Sequence, residues 1–451
     1  MTAIFAEQAL LPEGWRNGVR ITVEEGRVHS VEHAAAPGPS DDHHAIVLPA
    51  MPNLHSHAFQ RGMAGLAELR GPSADSFWSW RETMYRFALT ITPEQAEAVA
   101  AQLYVEMLEA GFCRVGEFHY LHHDLDGAAY ANIAEMAERI AAAASATGIE
   151  LTLLPVFYAH SNFGGAAPGE GQRRFINDLD GFAAIVEGCR NATKDMQGAI
   201  VGVAPHSLRA ATPQELAAVC AIMPDGPIHI HAAEQVREVE DCVAWSGARP
   251  VEWLLANMPV DRRWCLIHAT HMLDEETIGM AKSGAIAGLC PVTEANLGDG
   301  TFSAPLFVEH GGRFGVGTDS NVLIGVPDEL RQLEYSQRLF HRQRNVMAVA
   351  GGSTGRGLFE AALSGGAAAL GGGPAEIAAG ASANFLSLDA THPSLAGKSG
   401  DGILDAWIFA NGAKVDCVWI KGERLVAQGR HLARDSVAQR FRAAMLELLA
   451  V

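Results

Sequence analysis

An α/β fold is predicted from this sequence: a (β/α)8 TIM barrel carrying a small β-sandwich domain formed from both chain termini. Three observations carry that expectation. Short apolar runs recur eight times from "AIVLP" to "RFGVGTDSN", most of them separated by helix-type stretches, the grammar of parallel β/α units. Strand-like segments without such helices open the chain and return near its end. Metal-ligand side chains follow the apolar runs, at the strand ends where a barrel collects its chemistry. The expected organisation is therefore 1–47 as the N-terminal part of the sandwich, 48–375 as the barrel, and 376–451 as the C-terminal part with a terminal helix.

The elements follow in order. "RITVEEGRVHSVEH" alternates about Glu24-Glu25-Gly26, a hairpin signal, and the polar "AAAPGPSDDHHA" after it reads as a loop. The eight barrel runs are "AIVLP", "FCRVGEFHY", "LTLLPVFYAH", "AIVGVAPHS", "PIHIHAAE", "WCLIHATH", "AIAGLCP" and "RFGVGTDSN". In "TPEQAEAVAAQLYVEMLEAG", Thr92 is the N-cap, Pro93 takes the first helical position, Gln95 completes a capping box, and Gly111 marks the end. The Gly/Ala-rich "SGGAAALGGGPAEIAAGAS" reads as a tight helical connector. Beyond it, "NFLSLDA", "DAWIFA" and "VDCVWIKGERLVAQGRH" read as strands, the last with a turn in "IKGERL". "SVAQRFRAAMLELLA" reads as an amphipathic helix.

Bulk properties narrow the function. A chain of 451 residues can bury a large core and a smaller one. Its net charge of -19 argues against a nucleic-acid footprint but permits an anionic small molecule held by local arginines. No apolar stretch of about 18 residues predicts a membrane span. The opening "MTAIFAEQALLPEGW" lacks the basic start and apolar core of a signal peptide. Seven cysteines without a C-x-x-C pair suit a reducing cytoplasm, and none is assigned a catalytic role.

The strand ends hold the chemistry. His55 and His57, two residues apart, point to one face of a strand. Later runs bring Glu117, His119 and Tyr120; then His206, followed by Arg209; then His229, His231 and Glu234; then His268; and finally Asp319. Three imidazoles and a carboxylate leave one position for water on a zinc-like ion. Such an ion lowers the water pKa towards ~7, and a carboxylate that is not a ligand can shuttle protons. Glu234, three residues past His231, is the candidate for that role.

"NLHSH", "HIHAAE", "LIHATH" and "GVGTDSN", in this order, resemble the metal and catalytic motifs of the amidohydrolase superfamily, over essentially the whole chain. The resemblance implies that His55, His57, His231 and Asp319 hold the metal. Glu234, His268 and Asp319 would serve in proton transfer and water positioning, while His229 points elsewhere. Binuclear members carry a bridging lysine at the fourth strand end; "GVAPHS" has His206 instead, which implies one divalent ion. Zinc is expected, although iron and manganese fit the same donors. "LHSHAFQRGMAG" and "SFWSWRETMYRF" are similar to the formimidoylglutamate deiminases, whose substrate N-formimino-L-glutamate carries two carboxylates.

On that resemblance Arg81, in the long loop after the first strand, and Arg209 would bind the carboxylates as guanidinium forks. Gln60, Tyr120 and His206 would add neutral hydrogen bonds. A homodimer is implied as well. Arg61, Trp78, Trp80 and Glu294 receive no role, and the pairs His43-His44 and His122-His123 are expected to be solvated. The Trp-rich "FWSW" keeps open a deaminase of a purine- or pterin-like ring. A silent barrel acting as a binding protein is the alternative from another class.

Overall fold

The structure is a computed structural model that describes residues 2–70, 77–410 and 412–450. Ser76 of the quoted tryptophan-rich motif lies outside them. The chain begins with β1 (Thr2–Leu11), β2 (Gly14–Glu24), β3 (Arg27–Glu32) and β4 (Asp42–Pro49). Antiparallel β2 and β3 are joined at Glu25-Gly26, both with positive φ (49° and 78°), as a type I′ hairpin requires.

The apolar run "AIVLP" belongs to β4, not to the barrel. β4 pairs in parallel with β1 and antiparallel with a C-terminal strand. The true first barrel strand is β5 (Met51–Ser56), entered one residue later through Ala50. Two apolar strands abutting with no turn residues between them read as one run.

Barrel strands continue as β6 (Phe112–His119), β7 (Glu150–Phe157), the short pair β8 (Ile200–Val201) and β9 (Ala204–Pro205), β10 (Ile228–Ala232), β11 (Trp264–His268), β12 (Ile286–Leu289) and β13 (Arg313–Val316). They form two parallel arcs, β5-β6-β7-β8 and β10-β11-β12-β13, with β9 pairing to β7. Parallel bridges close the ring: Val203 to Ile228 and Ser207 to His231 on one side, Ser56 to Asp319 on the other. At the second seam the Asp319 amide donates to the His55 carbonyl at 3.0 Å, and the His57 amide to the Asp319 carbonyl at 3.0 Å. With β8 and β9 as one stave, eight staves result. The barrel is closed.

The helix Pro93–Glu109 has the expected capping box between Thr92 and Gln95. The connector is helical only from Thr354 to Ala369 and then irregular. Its glycines let this helix lie directly on the barrel: a Cβ on Gly365 would sit 1.8 Å from the Phe314 carbonyl oxygen.

β14 (Phe385–Leu388), β15 (Val415–Ile420), β16 (Glu423–Ala427) and β17 (Arg430–His431) complete a sheet ordered β17-β16-β15-β14-β4-β1-β2-β3, drawn from both chain ends. "DAWIFA" is helical rather than extended, within Asp401–Phe409. Ile403, Leu404, Trp407 and Ile408 are all buried, the 3–4 spacing of a helix face hidden in a short apolar run. The last helix, Arg434–Leu448, packs Phe441, Met445 and Leu448 against Phe59, Met63 and Phe87 beside the barrel mouth. No described helix is long and apolar enough to cross a membrane.

Candidate metal centre and active site

Four side chains from three places in the sequence converge at the C-terminal rim of the barrel: His55, His57, His231 and Asp319. His55 ends β5, and His57 lies just past it, at the start of the 3-10 turn Ala58–Met63. The Nε2 atoms of His55 and His57 lie 3.4 and 3.3 Å from Asp319 Oδ1. His231 Nε2 lies 3.2 Å from His55 Nε2. These separations match the edges of about 3.3 Å expected when N and O ligands surround an ion tetrahedrally at about 2.0–2.1 Å.

The ring nitrogens show why the group fits a cation. His57 Nδ1 lies 3.0 Å from the Phe118 carbonyl oxygen, and His231 Nδ1 3.0 Å from that of His206. A carbonyl can only accept, so each Nδ1 carries the proton and each Nε2 turns a lone pair to the centre. Burial drives the pKa of His55 down to about 3 and lowers His57 and His231 as well, so the rings are neutral, as ligands must be. Asp319 is held below the usual carboxylate range: burial opposes its charge, but the hydrogen bond from His55 and the surrounding imidazoles outweigh it.

The turn that delivers Asp319 is tightly held. Asp319 has φ 45° and Asn321 φ 58°, and His268 and Ala233 are also left-handed at 66° and 51°. Asn321 Nδ2 donates to the carbonyls of Asp319 (2.8 Å) and His57 (3.1 Å), while Asn53 Nδ2 donates to Thr318 Oγ1 at 2.8 Å. The strain sits where several bonds fix one geometry.

Beside the donors lie further ionisable groups. Glu234 Oε1 and Asp319 Oδ2 each lie 3.7 Å from His268 Nε2, and Glu294 Oε1 lies 3.3 Å from His268 Nδ1. Glu294 therefore positions the His268 ring, the role its sequence did not disclose. Burial pushes the Glu234 pKa up to about 7, against the pull of His268 and Arg209. Burial works against a charged His268, but Glu234, Glu294 and Asp319 prevail and raise it to about 10. Cys290 also lies within ligand range of His268 and Asp319, yet burial keeps its thiol protonated.

A cavity opens over this centre, and its wall includes Gln60, Arg81, Tyr120, His206 and Arg209. Arg209 is only 5% exposed, with Nε lacking a hydrogen-bond partner among the described residues. Burial opposes its charge, but Glu238, Tyr158 and Glu234 keep it cationic. Arg81 is not in a loop but on the helix Phe77–Ala88, partly exposed, its guanidinium 4.5 Å from the Trp78 ring centre. Gln60 Nε2 donates to Tyr120 Oη at 2.9 Å, leaving its buried Oε1 without a partner among the described residues. His206 is kept neutral by burial and by Arg209.

Other histidines and carboxylates fall elsewhere. His229 Nε2 donates to the Ala369 carbonyl at 2.8 Å, away from the centre. Glu117 accepts from the Ala58 amide at 2.6 Å and fastens the turn carrying Gln60. His122 and His123 are buried rather than solvated, bonded to the carbonyls of Val156 (2.9 Å) and Ile176 (2.8 Å) beneath the folded-over 170–177 segment. His44 is also buried; His43 is exposed. Arg61 ties Glu106 (2.7 Å) to the carbonyls of Asn321 and Val322, and Trp80 lines the cavity. The sequence reading missed Tyr85, Tyr158 and Phe175, which complete the wall, and Asp299, a buried carboxyl paired with Gln235. Met84 and Tyr85 stand in the quoted "SFWSWRETMYRF", two helical turns after its tryptophans begin; Asp299 gave no signal.

The sequence profile of the Amidohydrolase family matches residues 46–425. The chain belongs to that family. Its first 45 residues match the N-terminal domain of formimidoylglutamate deiminase HutF. Among amidohydrolase relatives, a formimidoylglutamate deiminase of Pseudomonas aeruginosa is 51% identical over 453 residues, all of both chains. An amidohydrolase from Brucella melitensis matches over the full length of both chains with TM-score 0.97 and 63% identity. A 5-methylthioadenosine/S-adenosylhomocysteine deaminase of Natronomonas pharaonis is 28% identical, covering 82% of this chain and 80% of its own. A zinc-bound adenosine deaminase from Xanthomonas campestris, 20% identical with TM-score 0.83 over 100% and 99% of the chains, shares the fold of this amidohydrolase.

Proposed function

We propose that this protein hydrolyses N-formimino-L-glutamate to N-formyl-L-glutamate and ammonia, a step of histidine degradation, with one divalent ion, zinc, at His55, His57, His231 and Asp319. The carrying observation is a cavity with two guanidiniums, Arg81 and Arg209, on its wall and three of the ligand-type side chains, His57, His231 and Asp319, at its floor, with His55 grouped behind them. Cations on the wall and donors at the floor of one cavity suit an acyclic substrate with carboxylates at one end and the reacting carbon at the other. The relative from Pseudomonas aeruginosa supports the same reading.

When bound, the ion would polarise the substrate and bring the pKa of water towards ~7. The rest is the work of side chains. Arg209 and Arg81 bind the carboxylates and fix the formimino carbon above the floor, an orientation effect. Gln60 Oε1, Tyr120 and His206 supply hydrogen bonds along the chain of the substrate. Asp319 accepts a proton from the attacking water, and Glu234, starting as the carboxylate, takes that proton over and delivers it to the imino nitrogen. His268, oriented by Glu294, donates to the developing charge. The remaining hydroxyl proton of the tetrahedral adduct passes through the carboxylates to the nitrogen, which leaves as ammonia.

Purified, zinc-loaded protein is expected to release ammonia from N-formimino-L-glutamate with saturation at neutral pH. No release from metal-replete protein would overturn the substrate and direct the search to ring amines. Chelation is expected to abolish that release and to lower the melting temperature, both restored by zinc. For an ion held at a thousand times its Kd, about 4 kcal/mol of stability is at stake; calorimetry with and without chelator reads it.

The same reading places the protein in the cytoplasm as a homodimer. Seven free cysteines support the first, and the exposed apolar side chains Leu339, Phe340 and Val349 support the second. We also read the terminal sheet as a sandwich folded on itself. The Val28 amide donates to the Ala381 carbonyl at 2.9 Å, and one apolar cluster joins Ile4, Val19, Val47, Phe385 and Trp419.

A further inference from the structure

His44, Asp416 and Cys417 meet far from the barrel mouth, in the sheet built from both chain ends, with one ligand atom of each within 4.8 Å of the others. They come from β4 and β15, strands 370 residues apart in sequence that flank β14. Neighbouring residues of a strand ordinarily face opposite ways. Here they do not, because the pairing slips: Ser387 is opposite Cys417, but Leu388 is opposite Val415, which leaves Asp416 as an inserted residue. That bulge turns Asp416 to the side of Cys417, its Oδ2 3.5 Å from Sγ.

His44 completes the group. It is only 8% exposed, wedged edge-on against Trp419 with ring centres 4.8 Å apart. Its Nδ1 lies 3.8 Å from Asp416 Oδ2. On the other side, Nε2 lies 3.3 Å from Asp42 Oδ1 yet has no hydrogen-bond partner of proper geometry among the described residues. Asp42 is itself braced by Arg424 at 2.9 Å. A ligating histidine with a carboxylate behind its second nitrogen is the arrangement that orients imidazole towards a metal. Tetrahedral edges for N, O and S ligands are about 3.3–3.6 Å, so the Asp416–Cys417 edge already fits an ion and the His44–Asp416 edge needs to close by about half an ångström.

We propose that His44, Asp416 and Cys417 form a second metal site, for a borderline-soft divalent cation of the zinc class, that clamps the N-terminal strand β4 to the C-terminal strand β15. The donor set of imidazole, thiolate and carboxylate selects zinc, cobalt or copper over magnesium or calcium. The site shares no residue with the barrel centre. Binding there couples to the folding of the sheet, since its ligands are brought together only when both chain ends are in place.

The test is titration with cobalt(II) chloride of full-length protein stripped of metal and reloaded with one equivalent of zinc. The expected result is one further equivalent bound, with a near-ultraviolet sulfur-to-cobalt charge-transfer band. The band and the second equivalent should disappear in Cys417→Ser and in Asp416→Asn while turnover is unchanged. Asp416 is about one-third exposed, so its amide variant tests the site even if the serine variant fails to fold. A single equivalent in the parent, or a band that survives in Cys417→Ser, which Cys290 beside His268 would explain, overturns the proposal.

Discussion

Glu234→Gln is expected to lower kcat about 10²–10⁴-fold with the metal still bound, the contribution of one positioned acid–base group. The amide keeps the size of the side chain and its place beside His268, 3.7 Å away, but can neither take nor return a proton. The parent should also lose activity as pH falls. Burial holds Glu234 up at about 7 in the metal-free site, and a nearby cation favours its charged form. The acid limb of kcat/KM therefore falls at or below about 7, where the carboxylate takes up a proton and can no longer act as base. Glu234→Gln should remove that limb. Metal content measured beside the kinetics decides the role: loss of the ion would make Glu234 a ligand.

Arg209→Met is expected to lower kcat/KM about 10²–10³-fold, within the 2–5 kcal/mol lost when one partner of a buried charged pair is truncated. The thioether fills part of the space but cannot engage a carboxylate. Glu234 on the cavity wall, with Glu238 buried behind it, then loses the neighbouring cation, which adds repulsion. Arg81→Met should cost less, because Arg81 is partly exposed and its interaction is screened. Equal kinetics for the parent and Arg209→Met, with metal retained, would remove Arg209 from the substrate site.

The barrel and its metal donors were legible because their signals are local. H-x-H at the end of one strand and a carboxylate after a later strand need little more than the barrel topology to meet. Segments whose meaning depends on a distant partner were not legible. "AIVLP" joins β4 to "MPNLHS" of β5 without a turn, and only the pairing of β4 with β1 and β14 separates them. "DAWIFA" is too short for its period to distinguish helix from strand. Histidines 122 and 123 look solvated until residues 170–177 cover them. Glu294 was visible as a residue but not as the support of His268, a contact across 26 positions that no spacing rule encodes.

The seam at which the barrel closes has a consequence for biosynthesis. His55 and His57 belong to the first stave, while Asp319 follows the last, and their amides and carbonyls are joined across the closure. A nascent chain displays both histidines early but cannot present a finished set of donors until residue 319 has left the ribosome. The full set of four donors therefore exists only once the ring is shut, and a truncated translation product that stops before Asp319 carries at most the three imidazoles.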